Sequence, residues 1–98
     1  MRENVPAAEI RYTRRCQRNL DSIQQPDRHR VLRDIQRLFQ RELPIAQLKK
    51  LKGFDPPVWQ MDSGVFRAFY RWESENLWIL EVLRKPQAVQ HLRYRHPF

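Results

Sequence analysis

The chain has 98 residues, 41% of them hydrophobic and 11% aromatic, which is enough for one compact core and too few for two domains. Its 19 Lys and Arg residues, 15 of them arginine, outnumber 11 Asp and Glu residues and give a formal net charge of +8, which favours a polyanionic partner such as nucleic acid. No apolar stretch has the length of a membrane span or the place of a secretion leader, so we expect a cytoplasmic protein with no membrane partner.

The N-terminal half predicts one strand and two helices. Residues 1–7 are polar and are expected to be flexible. Residues 9–13 alternate between polar and apolar side chains, as in a short strand. Thr13 can then cap a helix over 14–24, because its hydroxyl can accept a hydrogen bond from the first helical turn. A second helix is predicted over about 26–42, with apolar residues at helical spacing; these are Val31, Leu32, Ile35, Leu38 and Phe39.

The C-terminal half predicts a three-stranded meander. Strands are expected over 58–62, 65–73 and 77–83, separated by turn sequences. The last of these is almost continuously apolar, which is typical of a central strand. Pro86 ends it, and residues 87–98 are expected to form a polar, basic tail or a short helix.

The order β-α-α-β-β-β predicts a single α+β domain over residues 1–98. We expect a four-stranded, mostly antiparallel sheet, with the first strand beside the last and a helical hairpin on one face. The other face is expected to be partly open, and an open sheet face on so basic a protein is a candidate binding surface.

Neither a reactive cysteine nor a metal site is expected. Cys16 is the only cysteine, and it falls in the apolar stripe of the first helix, where a small buried residue is more common than a nucleophile. The histidines, His29, His91 and His96, have no carboxylate or cysteine at ligand spacing.

The order of these elements and the amino-acid sequence of residues 48–85 resemble those of the RelE/ParE toxin superfamily. The most specific matches are Leu51-Lys52-Gly53, the segment from Gly64 to Arg71, and Val82-Leu83-Arg84-Lys85. The resemblance covers roughly residues 9–86. The fold that it implies agrees with the predicted order of strands and helices.

Resemblance to RelE-like members implies a toxin of a toxin–antitoxin system, an endoribonuclease that cuts mRNA on the ribosome without a metal or another cofactor. It also implies a cognate antitoxin as partner. ParE-like members share the fold but act on DNA gyrase. Two alternatives therefore stay open: a ParE-like gyrase inhibitor, and a catalytically degenerate protein that binds only RNA or an antitoxin.

Metal-free RNA cleavage needs a base for the 2′-OH, stabilisation of the phosphate charge and an acid for the leaving oxygen. By resemblance, Lys50 and Lys52 match a lysine pair that supplies base and phosphate contacts; a solvated basic loop is the alternative. Arg67 matches the strand arginine that grips the scissile phosphate. Arg84 is preferred to Lys85 as the second phosphate-binding residue, since arginine binds phosphate with two parallel hydrogen bonds.

The acid is where the chain departs from the family pattern. His91 and Tyr94 are the candidates, and a tail without function is the alternative. Lys49, Arg71, Lys85 and Arg93 are added as candidate RNA-binding residues on the same basic segments.

Overall fold

The computed structural model describes residues 7–93, and the side chains of residues 7–91. In chain order the described elements are β1 (Ile10–Tyr12), α1 (Arg14–Ser22), α2 (Asp27–Phe39), a short 3-10 helix (Ile45–Gln47), β2 (Leu48–Lys50), β3 (Trp59–Ser63), β4 (Phe66–Glu73), β5 (Asn76–Arg84) and α3 (Lys85–Arg93).

One sheet organises the domain, with strand order β1-β5-β4-β3-β2. β1 is parallel to β5, and the other neighbours are antiparallel. The predicted α+β class and the pairing of the first strand with the last are confirmed. The predicted strand number was wrong, because Leu48–Lys50 adds a fifth, edge strand. Two lysines in three residues leave no apolar alternation there, so only pairing with β3 defines that strand.

Helices α1 and α2 cover one face of the sheet, which we call the proximal face. Alternate residues of β4 point into this core, as its period of two predicts: Phe66, Ala68 and Tyr70, with Trp72 at the margin. The helices contribute Cys16, Leu20, Ile23, Val31, Ile35 and Leu38. A buried hydrogen bond of 2.7 Å from Ser63 Oγ to Asp34 Oδ2 also ties α2 to β3.

Both helices are shorter than the sequence predicts. α1 ends at Ser22 rather than at residue 24, and α2 ends at Phe39 rather than at residue 42. Arg41 takes a left-handed conformation, with φ of 61°, which is incompatible with a continuing helix. Its guanidinium carbon lies 4.1 Å from the centre of the Trp72 ring, so this arginine packs on an aromatic side chain.

The opposite sheet face, which we call the distal face, is less open than the sequence predicts. α3 lies over it, and Ala88 is fully buried in a second core cluster with Leu51, Val58, Phe69 and Leu80. Residues 85–93 are therefore a docked helix rather than a loose tail. Pro86 is tolerated there because the N–H groups of a first helical turn have no partner within the helix.

Candidate nucleic-acid interface

Arg67 projects from the distal face near the start of β4, the middle strand of the sheet. Its neighbours in sequence, Phe66 and Ala68, point into the proximal core, so alternation turns Arg67 the other way. Its Nε donates a 3.0 Å hydrogen bond to Asp62 Oδ1, on the cross-strand partner in β3. That bond uses one of the five N–H donors of the guanidinium and compensates part of its charge. The Arg67 side chain is 23% exposed, so a ligand can still reach it.

Arg71 shares this face at the other end of β4. Its Nε lies 3.3 Å from Glu73 Oε1, a charge contact whose geometry does not qualify as a hydrogen bond. Its partner in β5 is Trp78, over whose ring the guanidinium carbon of Arg11 lies at 5.8 Å from the centre. Arg11, Arg71 and Trp78 therefore form a second basic region of the distal face.

The three lysines lie along the edge strand and its turn, and the register divides them between the two faces. Lys49 pairs with Gln60, which pairs with Phe69, so its position belongs to the distal face. Lys50 pairs with Trp59, which pairs with Tyr70, so its position belongs to the proximal face. Lys52 is exposed in the turn after β2.

Lys52 is also displaced from Arg67 along the strand direction. It follows Leu51, whose N–H bonds to Val58, one residue beyond the last β3–β4 pair at Trp59 and Tyr70. Arg67 lies three residues from Tyr70 on β4, which amounts to about 10 Å at the rise of a strand. The structure thus places Lys52 and Arg67 at different ends of the distal face.

Arg84 lies on the opposite side of the sheet from Arg67. It pairs with Phe66, a proximal core residue, and its guanidinium carbon lies 5.3 Å from the centre of that ring. The β5 partner of Arg67 is Leu83. Lys85 begins α3, and its backbone N–H donates to the carbonyl of Val65 at 2.9 Å.

His91 reaches the distal face from α3. Its ring centre is 6.2 Å from that of Phe69, and its Nε2 is 3.4 Å from Glu81 Oε2. Arg15 Nη1 lies 3.7 Å from the same carboxylate oxygen. The His91 side chain is only 12% exposed, so it faces the sheet rather than solvent.

Glu81 is the residue of this face that sequence reasoning did not select. It pairs with Phe69 and is 6% exposed, a buried carboxylate in contact with an arginine and a histidine. The available signal was its position as the single charge within an apolar strand. Tyr94 and the side chain of Arg93 lie outside the described residues, although Arg93 is the last residue of α3.

Within residues 7–93, no three histidine, cysteine, aspartate or glutamate side chains are grouped as a metal ion would require. In the same part of the chain, no helix combines the length and the apolar character needed to cross a membrane.

Comparisons with known proteins give likeness of fold. No protein-family model matches the chain, and no curated protein sequence matches it. Among solved structures, the chain is similar to a chain of the archaeal RelE–RelB complex from Pyrococcus horikoshii, with a TM-score of 0.65 and 18% identity over 82% of this chain and 97% of that one. It is also similar to a chain of the intact E. coli RelBE toxin–antitoxin complex, with a TM-score of 0.66 and 13% identity over 80% of this chain and 96% of that one.

The isolated E. coli RelE toxin gives a TM-score of 0.64 at 12% identity, with 92% of this chain and 100% of that chain covered. These likenesses define a class of fold: the chain has a RelE-like fold. The resemblance that the sequence suggested is thereby confirmed at the level of the fold.

Proposed function

We propose that the protein is the toxin of a toxin–antitoxin module, and that it acts in the cytoplasm by cleaving mRNA on the ribosome. The observation that carries the proposal is the RelE-like fold, which spans nearly the full length of toxin-complex chains such as those from P. horikoshii and E. coli. The formal net charge of +8 supports a polyanionic target.

In this proposal Arg67 holds the scissile phosphate, because its partly exposed side chain projects from the distal face with its orientation set by Asp62. Neither lysine of the pair Lys50 and Lys52 is assigned as the base, because the position of Lys50 belongs to the proximal face and Lys52 lies at the other end of the distal face from Arg67. In the proposal Lys52 contributes positive charge from its turn, and Lys49 and Arg71 contact neighbouring phosphates. Since Arg84 pairs with a proximal core residue, Arg67 alone is assigned to the scissile phosphate.

His91 or Tyr94 supplies the acid for the leaving oxygen. His91 is covered by the contact of α3 with Phe69 and Glu81. It can therefore protonate a leaving oxygen only if α3 shifts from the sheet.

The proposed partner is an antitoxin whose acidic or amphipathic segment covers the basic surface. Support comes from the charge of this chain and from the RelE–RelB and RelBE complexes among the similar structures. Co-expression of the product of an adjacent gene should restore growth and co-purify with the protein.

The decisive experiment is induction in growing cells, with mapping of transcript ends. We expect growth arrest and mRNA cuts phased to codons for the wild type. Loss of the cuts is expected for Arg67→Ala, and retention for Arg37→Ala, which removes an exposed arginine of α2. Growth arrest with intact mRNA would contradict the proposed cleavage, and inhibition of DNA supercoiling by gyrase in that case would indicate a ParE-like activity.

Three observations favour a second candidate, a catalytically silent protein that binds RNA or an antitoxin. The charge of Arg67 is partly compensated by Asp62, the position of Lys50 belongs to the proximal face, and His91 is buried against Glu81. This candidate predicts that induction leaves both growth and transcript ends unchanged, while purified protein still binds RNA.

A further inference from the structure

A cavity of about 500 Å³ opens between the end of β5, the start of α3 and the connection from α1 to α2. It lies at the end of the sheet where Arg84 points to the proximal side, and Leu83, the β5 partner of Arg67, is at its border. Its lining is mainly polar and includes one arginine, Arg84, which is exposed at the end of β5. A cavity of this size can hold a nucleotide-sized ligand.

Three of the four amide side chains that line this cavity have a defined orientation. Each oxygen accepts a backbone N–H: Asn19 Oδ1 from Val82 at 3.0 Å, Gln25 Oε1 from His29 at 2.9 Å, and Gln87 Oε1 from Arg84 at 3.4 Å. Because an amide side chain ends in one oxygen and one NH₂ group, these bonds identify the NH₂ as the end with which each can bind a ligand. The three amides therefore offer the cavity hydrogen-bond donors.

Arg84 adds a positive charge to these donors. Its guanidinium carbon lies 5.3 Å from the centre of the Phe66 ring, and this aromatic contact holds the side chain on the proximal side. Since Arg67 points to the distal face, the two arginines lie on opposite sides of the sheet. Their side chains therefore leave the sheet in opposite directions.

We propose that this cavity is a second RNA site, which binds a phosphodiester of an RNA strand through the Arg84 guanidinium and the NH₂ groups of Asn19, Gln25 and Gln87. A set of donors around one arginine matches the acceptor oxygens of a phosphate. The choice of RNA as the source of that phosphate rests on the proposed function. Asp27 is the only carboxylate among the residues that line the cavity, and it opposes the binding of an anion.

The test is the affinity of the purified full-length protein for a labelled single-stranded RNA, followed by fluorescence anisotropy over a range of salt concentrations. Arg84→Ala should weaken binding about tenfold, as for loss of a hydrogen bond to a charged group. The slope of log K against log salt should fall in magnitude by about 0.7, the contribution of one phosphate contact on a single strand.

Two isosteric variants test the donors and the carboxylate. Gln87→Glu keeps an oxygen for the Arg84 N–H but replaces the NH₂ donor, so it should weaken binding. Asp27→Asn removes the opposing charge, so it should strengthen binding and raise the slope. Arg37→Ala, on the exposed side of α2, is the matched control and should change the affinity less than about twofold.

An Arg84→Ala protein with wild-type affinity and salt slope would overturn the proposal, and so would an effect equal to that of Arg37→Ala. The Arg67→Ala, Arg84→Ala double variant should show the product of the two single effects. A double variant no weaker than either single variant would mean one shared phosphate, which contradicts a separate site.

Inorganic phosphate is the alternative ligand in the last part of the test. Chemical shift changes at the side-chain amide of Gln87 on phosphate addition, together with unchanged RNA affinity in Arg84→Ala, would show a site for free anions and overturn the RNA assignment. Because the assay measures binding alone, a protein that binds RNA through Arg84 but leaves mRNA uncut would refute the proposed cleavage and retain this site.

Discussion

Two ionisable side chains of the proximal core show what burial does at the scale of a residue. Burial, with the nearby Glu81 carboxylate acting in the same direction, raises the pKa of the Cys16 thiol to about 12. Burial alone raises the pKa of the Tyr70 hydroxyl to about 12. Both groups are neutral at physiological pH, so Cys16 is a small apolar core residue, as its place in the α1 stripe predicts.

These shifts predict a loss of stability at high pH. Each group holds its proton more tightly in the folded protein than in the unfolded chain, where the pKa values are 9.0 and 10.0. The stabilisation is therefore complete below about pH 9 and is lost as the pH rises through about 12. For Cys16 alone we expect a loss of about 3 kcal/mol in the free energy of unfolding by pH 11.

Urea unfolding at pH 8 and pH 11 measures this loss. Cys16→Ala should show a smaller decrease between the two pH values than the wild type, although it is less stable at pH 8. Tyr70→Phe is the parallel variant for the hydroxyl. Identical decreases in the wild type and both variants would contradict the assignment of the pH dependence to these groups.

At the scale of an element, the junction between β1 and α1 depends on a single hydroxyl. Thr13 Oγ1 accepts the N–H of Cys16 at 3.0 Å, which confirms the predicted helix cap. The same oxygen donates to the carbonyl of Leu80 at 2.6 Å, a contact that no local pattern indicates. Thr13 therefore joins the start of α1 to the edge of β5.

Replacement of this hydroxyl should destabilise the whole domain. Thr13→Ala removes the cap, at a cost of about 1–2 kcal/mol, and it also leaves the Leu80 carbonyl without this donor. Thr13→Ser keeps the hydroxyl and should lose much less. Urea unfolding of the two variants gives the comparison, and equal losses would mean that the threonine methyl group, rather than the hydroxyl, stabilises the junction.

At the scale of the whole molecule, positive charge is distributed over both faces of the sheet. Arg67 and Arg71 lie on the distal face, whereas Arg84 lies on the proximal side. A flexible strand can follow such a surface around the sheet edge, but a rigid duplex cannot. This arrangement favours single-stranded nucleic acid as the polyanion.

The expected consequence is a strong dependence of RNA binding on salt. If about four phosphates are neutralised, the slope of log K against log salt is about −2.8, and the affinity falls about 50-fold between about 50 and 200 mM salt. Titrations of a single-stranded RNA at several salt concentrations measure the slope. An oligonucleotide with an uncharged backbone is the control; equal affinity for both would exclude phosphate recognition as the basis of binding.

The sequence alone determined the features that depend on neighbours along the chain. The spacing of hydrophobic residues predicted both α-helices before β2 and the three strands of the meander. The alternation of side chains in β4 predicted the face on which Arg67 lies. These signals are local, since a side chain's direction follows from the period of its own element.

Only the tertiary structure decided which residues from different elements lie together. The pairing of Leu48–Lys50 with β3, the docking of α3 and the burial of Glu81 against His91 all join segments distant in sequence. Strand register decided the sheet face on which each arginine lies, because a shift of one residue reverses the face of every side chain in a strand. The pairing of Arg84 with Phe66 places Arg84 on the side opposite to Arg67. The basic character of the protein is thus a property of its sequence, whereas the division of its basic residues between two surfaces is a property of its fold.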